Sequence, residues 1–311
     1  MALFAASVSA QRAPLVVKVL DVGQGDATLI ENGASRILID GGPETSRFGF
    51  LLDSLRLNGT TFDVVILTHT HADHLVGLRS LFESRRHINV RFFYENQDPY
   101  TASNLRQLRD SISARVARNE MIYRDTDDPC ANGRPICTIT MRGGAKLEIM
   151  RPMPASSNPN NRSPAMKLVN ADSTFSMWIA GDAEREEINW FLHSAHYDAQ
   201  PGMRVDILKA DHHGSCNGVS DEYLAALEPQ LATVSVGDVN SYGHMHTQAK
   251  TIYRRNKVPW YRTDQNGTIV ITSPGKSAAY DVAVEGGTTN MNGGSDRRAN
   301  PKACSNNGAR R

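Results

Sequence analysis

Short apolar runs broken by glycine and aspartate open the chain: Leu15 to Leu20, Ala27 to Ile30 and Arg36 to Ile39. With turns at Gly23-Gln24-Gly25 and Asn32-Gly33, they predict a strand meander. A helical apolar period from about Phe48 to Leu57 stops at Asn58-Gly59. Val64-Val65-Ile66-Leu67 is continuously apolar, the mark of a strand buried on both faces. A second helix fits Thr101 to Val116, and residues 153–164 read as a polar loop. Strands are then expected at 166–170, 174–180, 205–208, 231–236, 268–272 and 278–283. Helices at 184–192, 221–227 and 247–255 fall between them. From Glu285 onward Gly, Asn, Ser and Thr dominate and no apolar period survives, so a disordered end is expected. Strands interleaved with helices, without one strict βαβ period, predict a layered α/β (α+β) fold. The expected division is a leader or residual signal peptide at 1–12, a single domain at 13–285 and a disordered basic tail at 286–311.

Composition narrows the classes. The chain has 311 residues and 40% apolar side chains, ordinary for a globular protein. No stretch approaches the roughly 18–20 apolar residues of a spanning helix, so no membrane span is expected. The 34 basic and 33 acidic residues give a net charge of +1, which offers no nucleic-acid footprint. The total conceals a shift. Residues 286–311 carry five basic side chains against Asp296, a local +4, which leaves −3 for residues 1–285. The tail reads first as a solvated end and second as a tether for polyanions. Cys130 and Cys137 can close a small loop, whereas Cys216 and Cys304 stand alone; four unpaired thiols is the competing reading. Val8-Ser9-Ala10 after an apolar stretch suits a signal peptidase, so a secreted or periplasmic protein is expected, with a plain leader and a cytoplasmic location as the alternative.

The strongest chemical signal is Thr68-His69-Thr70-His71-Ala72-Asp73-His74, directly after the buried strand. Two histidines at i and i+2 on an extended segment can face one metal, and an Asp and a His opening the next helix can face a second. Later clusters could complete the cage: Gly181-Asp182, Asp211-His212-His213-Gly214-Ser215, and Asn240 to His246 with His244 and His246. Seven of the ten histidines fall in these post-strand clusters, which favours a metal site over scattered surface residues.

These segments resemble the metallo-β-lactamase superfamily, with its His-x-His-x-Asp-His motif, and within it the hydrolase domain of the ComEC/Rec2 competence proteins. The likeness also takes in Leu20 to Ala27, Ile37 to Gly42, Leu208 to Ser215, Ser235 to Gly237 and Tyr261 to Gly267, in order across about residues 15–273. The membrane channel that accompanies this domain in those proteins is expected to be absent. The resemblance implies a four-layered αβ/βα metallo-β-lactamase sandwich with two divalent metal ions, zinc or manganese, at one edge. His69 and His71 would hold one ion, Asp73 and His74 the other, and Asp182 would bridge them. One histidine of the His212-His213 pair would complete the second site; His212, nearer the strand end, is favoured, with His213 touching substrate or supporting the ligands. Asp26 and Asp40 would orient the ligand histidines. One departure matters. Many members carry a further ligand histidine before the Gly-Asp element, where this chain offers only His87 or the polar Asn170-Ala171-Asp172-Ser173, so a single-metal site is the alternative.

The chemistry expected of such a site is hydrolysis by metal-activated water, with a phosphodiester as substrate and single-stranded DNA among the candidates. Asp73, His213 and His244 are the expected catalytic groups, His244 serving the leaving group or the pentacovalent phosphate. Ser215, His213 and Asn240 would bind substrate, while Lys209 reads first as a partly exposed strand residue and second as a phosphate contact. Phosphorylcholine-esterase-like or β-lactamase-like hydrolysis and a non-catalytic binding protein are the competing readings. No protein partner is predicted.

Overall fold

The computed structural model describes residues 13–292 apart from Tyr100, Ala155 and residues 195–202, 275–279 and 287–288. The leader expected at 1–12 and most of the expected tail therefore lie outside the described residues. Strands β1 (Leu15–Val19), β2 (Thr28–Asn32), β3 (Ser35–Ile39), β4 (Thr61–Ile66), β5 (Asn89–Glu95) and β6 (Ile122–Asp125) begin the first sheet. The chain then crosses to the second with β7 (Ile136–Thr140), β8 (Lys146–Met150), β9 (Ala165–Val169), β10 (Ser176–Ile179), β11 (Ile207–Lys209), β12 (Leu231–Val234) and β13 (Trp260–Arg262). It returns with β14 (Ile269–Ser273) and β15 (Asp281–Val284). The orders are β15-β14-β1-β2-β3-β4-β5-β6 and β13-β12-β11-β10-β9-β8-β7.

Alternation along the strands builds the layers. On β3 and β4, Ile37, Ile39, Val64 and Ile66 face the second sheet and pack on Leu147, Ile149, Met166 and Met177. Their neighbours Leu38 and Val65 point the other way, onto Phe48 and Leu52 of α1 (Thr45–Ser54) and Leu105 and Leu108 of α3 (Ser103–Ala117). Helix α2 (Ala72–Leu75) is a single turn between them. The outer face of the second sheet, with Trp178, Leu208 and Val234, is covered by α4 (Arg185–His193), α5 (Asp221–Leu227) and α6 (Thr247–Arg255); α7 (Thr263–Asn266) follows β13. Each fully buried side chain of this size contributes about 1.5–3 kcal/mol, so a strand apolar on both faces must sit in the middle of two layers. Two mixed sheets flanked by helices form one domain, as the four-layered expectation required.

Both sheets have a parallel half: β3 to β6 in the first and β10 to β13 in the second. The carboxyl ends of β3, β4, β10, β11 and β12 meet at one edge. That is where open α/β sheets place their ligands.

Candidate metal centre

The His-x-His-x-Asp-His segment leaves β4 in extended form, then turns into α2 with His71 as its N-cap at φ −71° and ψ 150°. Asp40, at the end of β3 and in a left-handed conformation (φ 59°), holds this turn from below. Its carboxylate accepts hydrogen bonds from the Thr68 backbone N–H and hydroxyl, each at 2.8 Å, and from His74 Nδ1 at 2.8 Å. The Thr68 hydroxyl, already donating to Asp40, lies 3.2 Å from His69 Nδ1 and can accept from it. His213 Nδ1 donates in turn to the Ser235 carbonyl at 3.0 Å. In all three rings the Nδ1 hydrogen is taken, so the Nε2 lone pairs are left to point inward.

From the second sheet, Gly181 turns at φ +55° where a Cβ would lie 2.8 Å from Thr68 Oγ1 and 2.9 Å from Ser163 Oγ. Only glycine lets the two sheets' loops approach this closely. The next residue, Asp182, is thereby set among the histidines. Its carboxylate lies 3.2 Å from His74 Nε2, 3.5 Å from His213 Nε2 and 3.7 Å from His69 Nε2. Asp73 Oδ2 is 3.3 Å from His213 Nε2, and His69 Nε2 is 3.1 Å from His71 Nδ1. Nitrogens bound at 2.0–2.1 Å to one tetrahedral ion lie about 3.3 Å apart, so these are spacings that ligands of shared ions adopt. Two donor sets result, Asp73-His74-Asp182-His213 and His69-His71-Asp182, with Asp182 in both. A third grouping, Asp26-Asp40-His74, lies beneath them.

The donors fit a metal on a further ground. His74 Nε2, His213 Nε2 and Asp182 Oδ1 are buried and make no aligned hydrogen bond within the protein. Burying such groups without partners is costly. The protein alone balances the charges with protons. Burial would push the His213 ring down, but the Asp182 and Asp73 carboxylates hold it up at about 10. Burial is likewise overruled at His74, held well above the usual range by Asp182 and Asp40. His69 goes the opposite way, pushed well down by burial and the neighbouring His74. Burial opposes ionisation of Asp182, yet His213, His74 and His212 keep it well below the usual carboxylate range.

Several expected residues land elsewhere. His213, not His212, joins the four-group set: both residues pass through left-handed backbone (φ 48° and 53°), and the Ser235 carbonyl then aims the His213 ring inward. His212 sits at the rim, its Nδ1 3.2 Å from Glu184 and its Nε2 3.8 Å from Asp182. Asp26 does not touch a histidine ring nitrogen but forms a buried ion pair with Lys209, which is fully buried rather than partly exposed because that pair neutralises it. Asn240 is used up in its own loop, donating to the Gly237 and His244 carbonyls and accepting from the His244 N–H. The 170–173 turn lies at the far end of β9, about 15 Å along the strand. The polar residue that lines the site is instead Asn160, whose Nδ2 donates to Glu184 at 2.7 Å and whose Oδ1 is buried without a partner. His87 is exposed on a separate bend.

An open pocket of about 480 Å³ lies over the cluster, lined by His71, Asp73, Asp182, His212, His213, Ser215 and His244 among others. Gln24, which the sequence reading passed over, accepts from the Gly237 N–H at 3.2 Å; its amide NH₂ is thereby turned toward His244 Nδ1 at 3.5 Å. Burial, then the His213 and His212 rings, push His244 down to about 2, so it is neutral. With Nδ1 facing the Gln24 amide, the hydrogen of His244 belongs on Nε2. His246 is structural, accepting from the Cys216 N–H and lying 3.1 Å from the Tyr242 carbonyl.

A model of the metallo-beta-lactamase superfamily matches residues 20–92, the stretch that holds Asp40 and the histidine motif. ComE operon protein 3 of Bacillus subtilis is 24% identical over 290 residues, covering 86% of this chain and 34% of that protein. Over residues 20–92 the chain is thus similar to the metallo-beta-lactamase superfamily. Recombination protein 2 of Haemophilus influenzae is 26% identical over 81% of this chain and 28% of its own length, so the competence proteins are distant homologues over most of the chain. The chain spans about a third of the length of these relatives. Among solved structures, the metallo-beta-lactamase fold protein YhfI of Bacillus subtilis aligns at TM-score 0.47 and 13% identity, covering 84% of this chain and 100% of that one. Cys130 and Cys137 form a disulfide, which closes the loop the sequence left open, and Cys216 is also disulfide-bonded. No helix among the described residues is long and apolar enough to cross a membrane.

Proposed function

We propose that this protein is a metal-dependent phosphodiesterase acting on single-stranded nucleic acid outside the cytoplasm. The observation that carries the reading is the convergence of buried, unpartnered His74 Nε2, His213 Nε2 and Asp182 Oδ1 on one space beneath an open pocket. His69, His71 and Asp182 would hold one divalent ion, and Asp73, His74, His213 and Asp182 the other, with His213 taking the place first given to His212. Bound there, divalent metals supply Lewis acidity and lower the pKa of water toward about 7. The protein's own groups then act on the substrate. His244, neutral and with its Nε2 hydrogen free, donates a hydrogen bond to a phosphoryl oxygen or the leaving oxygen rather than acting as a strong acid. The Ser215 side chain at the pocket wall offers a second donor. Relatives named for recombination and competence support nucleic acid over other phosphodiesters, and the Cys130–Cys137 disulfide suits an oxidising compartment.

The test is a hydrolysis screen with added manganese or zinc, comparing single-stranded DNA, bis(p-nitrophenyl) phosphate, a phosphocholine ester and nitrocefin. Metal-dependent cleavage of the first two is expected, and the His69→Ala/His71→Ala variant should lose it. Undiminished cleavage by that variant, or activity on nitrocefin alone, would sink the assignment.

A further inference from the structure

The pocket wall holds an aromatic group that the hydrolytic machinery does not use. Tyr242 lies at its mouth with 57% of its surface exposed, an unusual position for a large aromatic side chain. Its ring stacks on His244, with centroids 5.6 Å apart and planes within 21° of parallel. The loop beneath is fastened, so the ring is presented rather than loose. The three hydrogen bonds of Asn240 tie the loop to itself, and the Tyr242 carbonyl lies 3.1 Å from His246 Nε2. His246 is anchored in turn by the Cys216 N–H at 3.1 Å.

The charge of the pocket indicates what such a ring is for. Its lining residues include no lysine and no arginine. A nucleic-acid backbone flanking the scissile phosphate finds no lysine or arginine among the described residues of the pocket wall. Affinity beyond the metal centre must then come from a neutral part of the substrate. One flat aromatic face open to solvent suits a nucleobase, which stacks on a single ring. A quaternary ammonium group is better served by several rings forming a cage, and Tyr242 is the sole aromatic among the lining residues apart from histidines.

We propose that Tyr242 is the stacking platform for the nucleobase next to the scissile phosphate, so that the enzyme selects base-bearing single strands over other phosphodiesters. This rests on the phosphodiesterase reading of the same pocket. The observation beneath it is a fixed, exposed aromatic ring at the mouth of a pocket whose described lining holds no lysine or arginine.

The experiment uses two fluorescent oligomers of equal length and charge, a thymidine tetranucleotide and its abasic counterpart. Binding to the metal-supplemented full chain is read by anisotropy, and cleavage is followed in parallel. The thymidine oligomer should bind about tenfold more tightly than the abasic one, within the range of base–aromatic stacking. Tyr242→Ala should abolish that preference by weakening the thymidine oligomer alone, and Tyr242→Phe should keep it. Because Tyr242 is exposed, the unchanged abasic affinity of Tyr242→Ala also reports intact folding. Equal binding of the two oligomers by the unaltered protein, binding of neither, or equal losses in Tyr242→Ala would overturn the proposal. So would a Tyr242→Ala defect confined to p-nitrophenyl phosphorylcholine. Base-selective binding without cleavage of either oligomer would leave the platform standing and fail the phosphodiesterase reading instead.

Discussion

Asp26 and Lys209 come from opposite sheets, 183 residues apart, and meet in the interior beside Asp40 and His74. Burial lowers the affinity of the Lys209 amine for its proton, but the Asp26 carboxylate more than restores it. Removing one partner leaves a buried charge uncompensated, which typically costs about 3–5 kcal/mol. Asp26→Asn should therefore lower the urea midpoint by an amount equivalent to that, and the apolar double variant Asp26→Leu/Lys209→Met should recover most of it. A loss in Asp26→Asn under about 1 kcal/mol would mean the pair is hydrated and structurally idle. Asp40 acts on the cluster itself. Asn in its place would still accept from the Thr68 N–H but would turn an NH₂ toward His74 Nδ1, and metal affinity should fall about 10- to 100-fold in chelator competition. An unchanged affinity would remove Asp40 from that role. These contacts explain what sequence could not supply at this scale. Asp26, Lys209 and the His212-His213 pair were visible as residue types after strands. Which of them met was fixed by left-handed backbone at 212 and 213 and by the Ser235 carbonyl, both set by chain far away.

The motif helix α2 is one turn long and cannot be stable alone. It is held by its neighbours: the Gly41 N–H donates to the His74 carbonyl at 2.8 Å and the Gly77 N–H to the Gly42 carbonyl at 3.0 Å. The approach is close enough that a Cβ on Gly77 would fall 1.8 Å from the Gly41 carbonyl oxygen. Gly77→Ala must push the 40–42 loop aside, so a loss of about 1–3 kcal/mol is expected, with weaker metal binding because Asp40 moves too. Full metal affinity in a destabilised Gly77→Ala protein would separate the two effects and refute the coupling. Local signals made some elements legible: α5 starts where the Ser220 side chain caps the Tyr223 N–H, with Asp221 and Glu222 in its first turn. Helix α6 fell at 247–255 as its apolar period required. Strands β5 to β8 and β13 passed unnoticed. β7 is half exposed and reads Ile-Cys-Thr-Ile-Thr, and β13 is three residues long, so neither carries enough alternation to stand out.

Across the whole molecule, the layering was legible only as interleaved strands and helices, because which sheet a strand joins depends on partners up to 258 residues away, as between Leu15 of β1 and Ser273 of β14. What that long-range pairing assembles is a cluster whose charge balance depends on its occupant. In the metal-free protein His213 is raised to about 10 and His74 is also raised. A raised histidine contributes stability that is fully present below its unfolded pKa of about 6.5 and is lost as pH climbs through the folded value. Asp182 and Asp73 are depressed, burial notwithstanding, by the imidazoles around them. Their share is present above about pH 4 and is lost as pH falls through their folded values. His69 and His244, pushed down by burial, stay neutral in the folded protein and so cost stability as pH falls below about 6.5. The metal-free protein should thus be most stable near about pH 6.5, and should lose stability as pH rises from there toward 10. A divalent metal must displace the protons of His74 and His213, so its affinity rises with pH over the same span. At about a thousandfold excess over Kd the metal adds about 4 kcal/mol, and this addition grows as the protonated cluster weakens. Thermal unfolding of chelator-treated and manganese- or zinc-loaded protein at pH 6, 7.5 and 9 should show a gap in Tm that widens with pH. A gap that stays constant or narrows would mean that metal and protons do not compete for Asp182 and its histidines, and the two-set reading of the centre would fall with it.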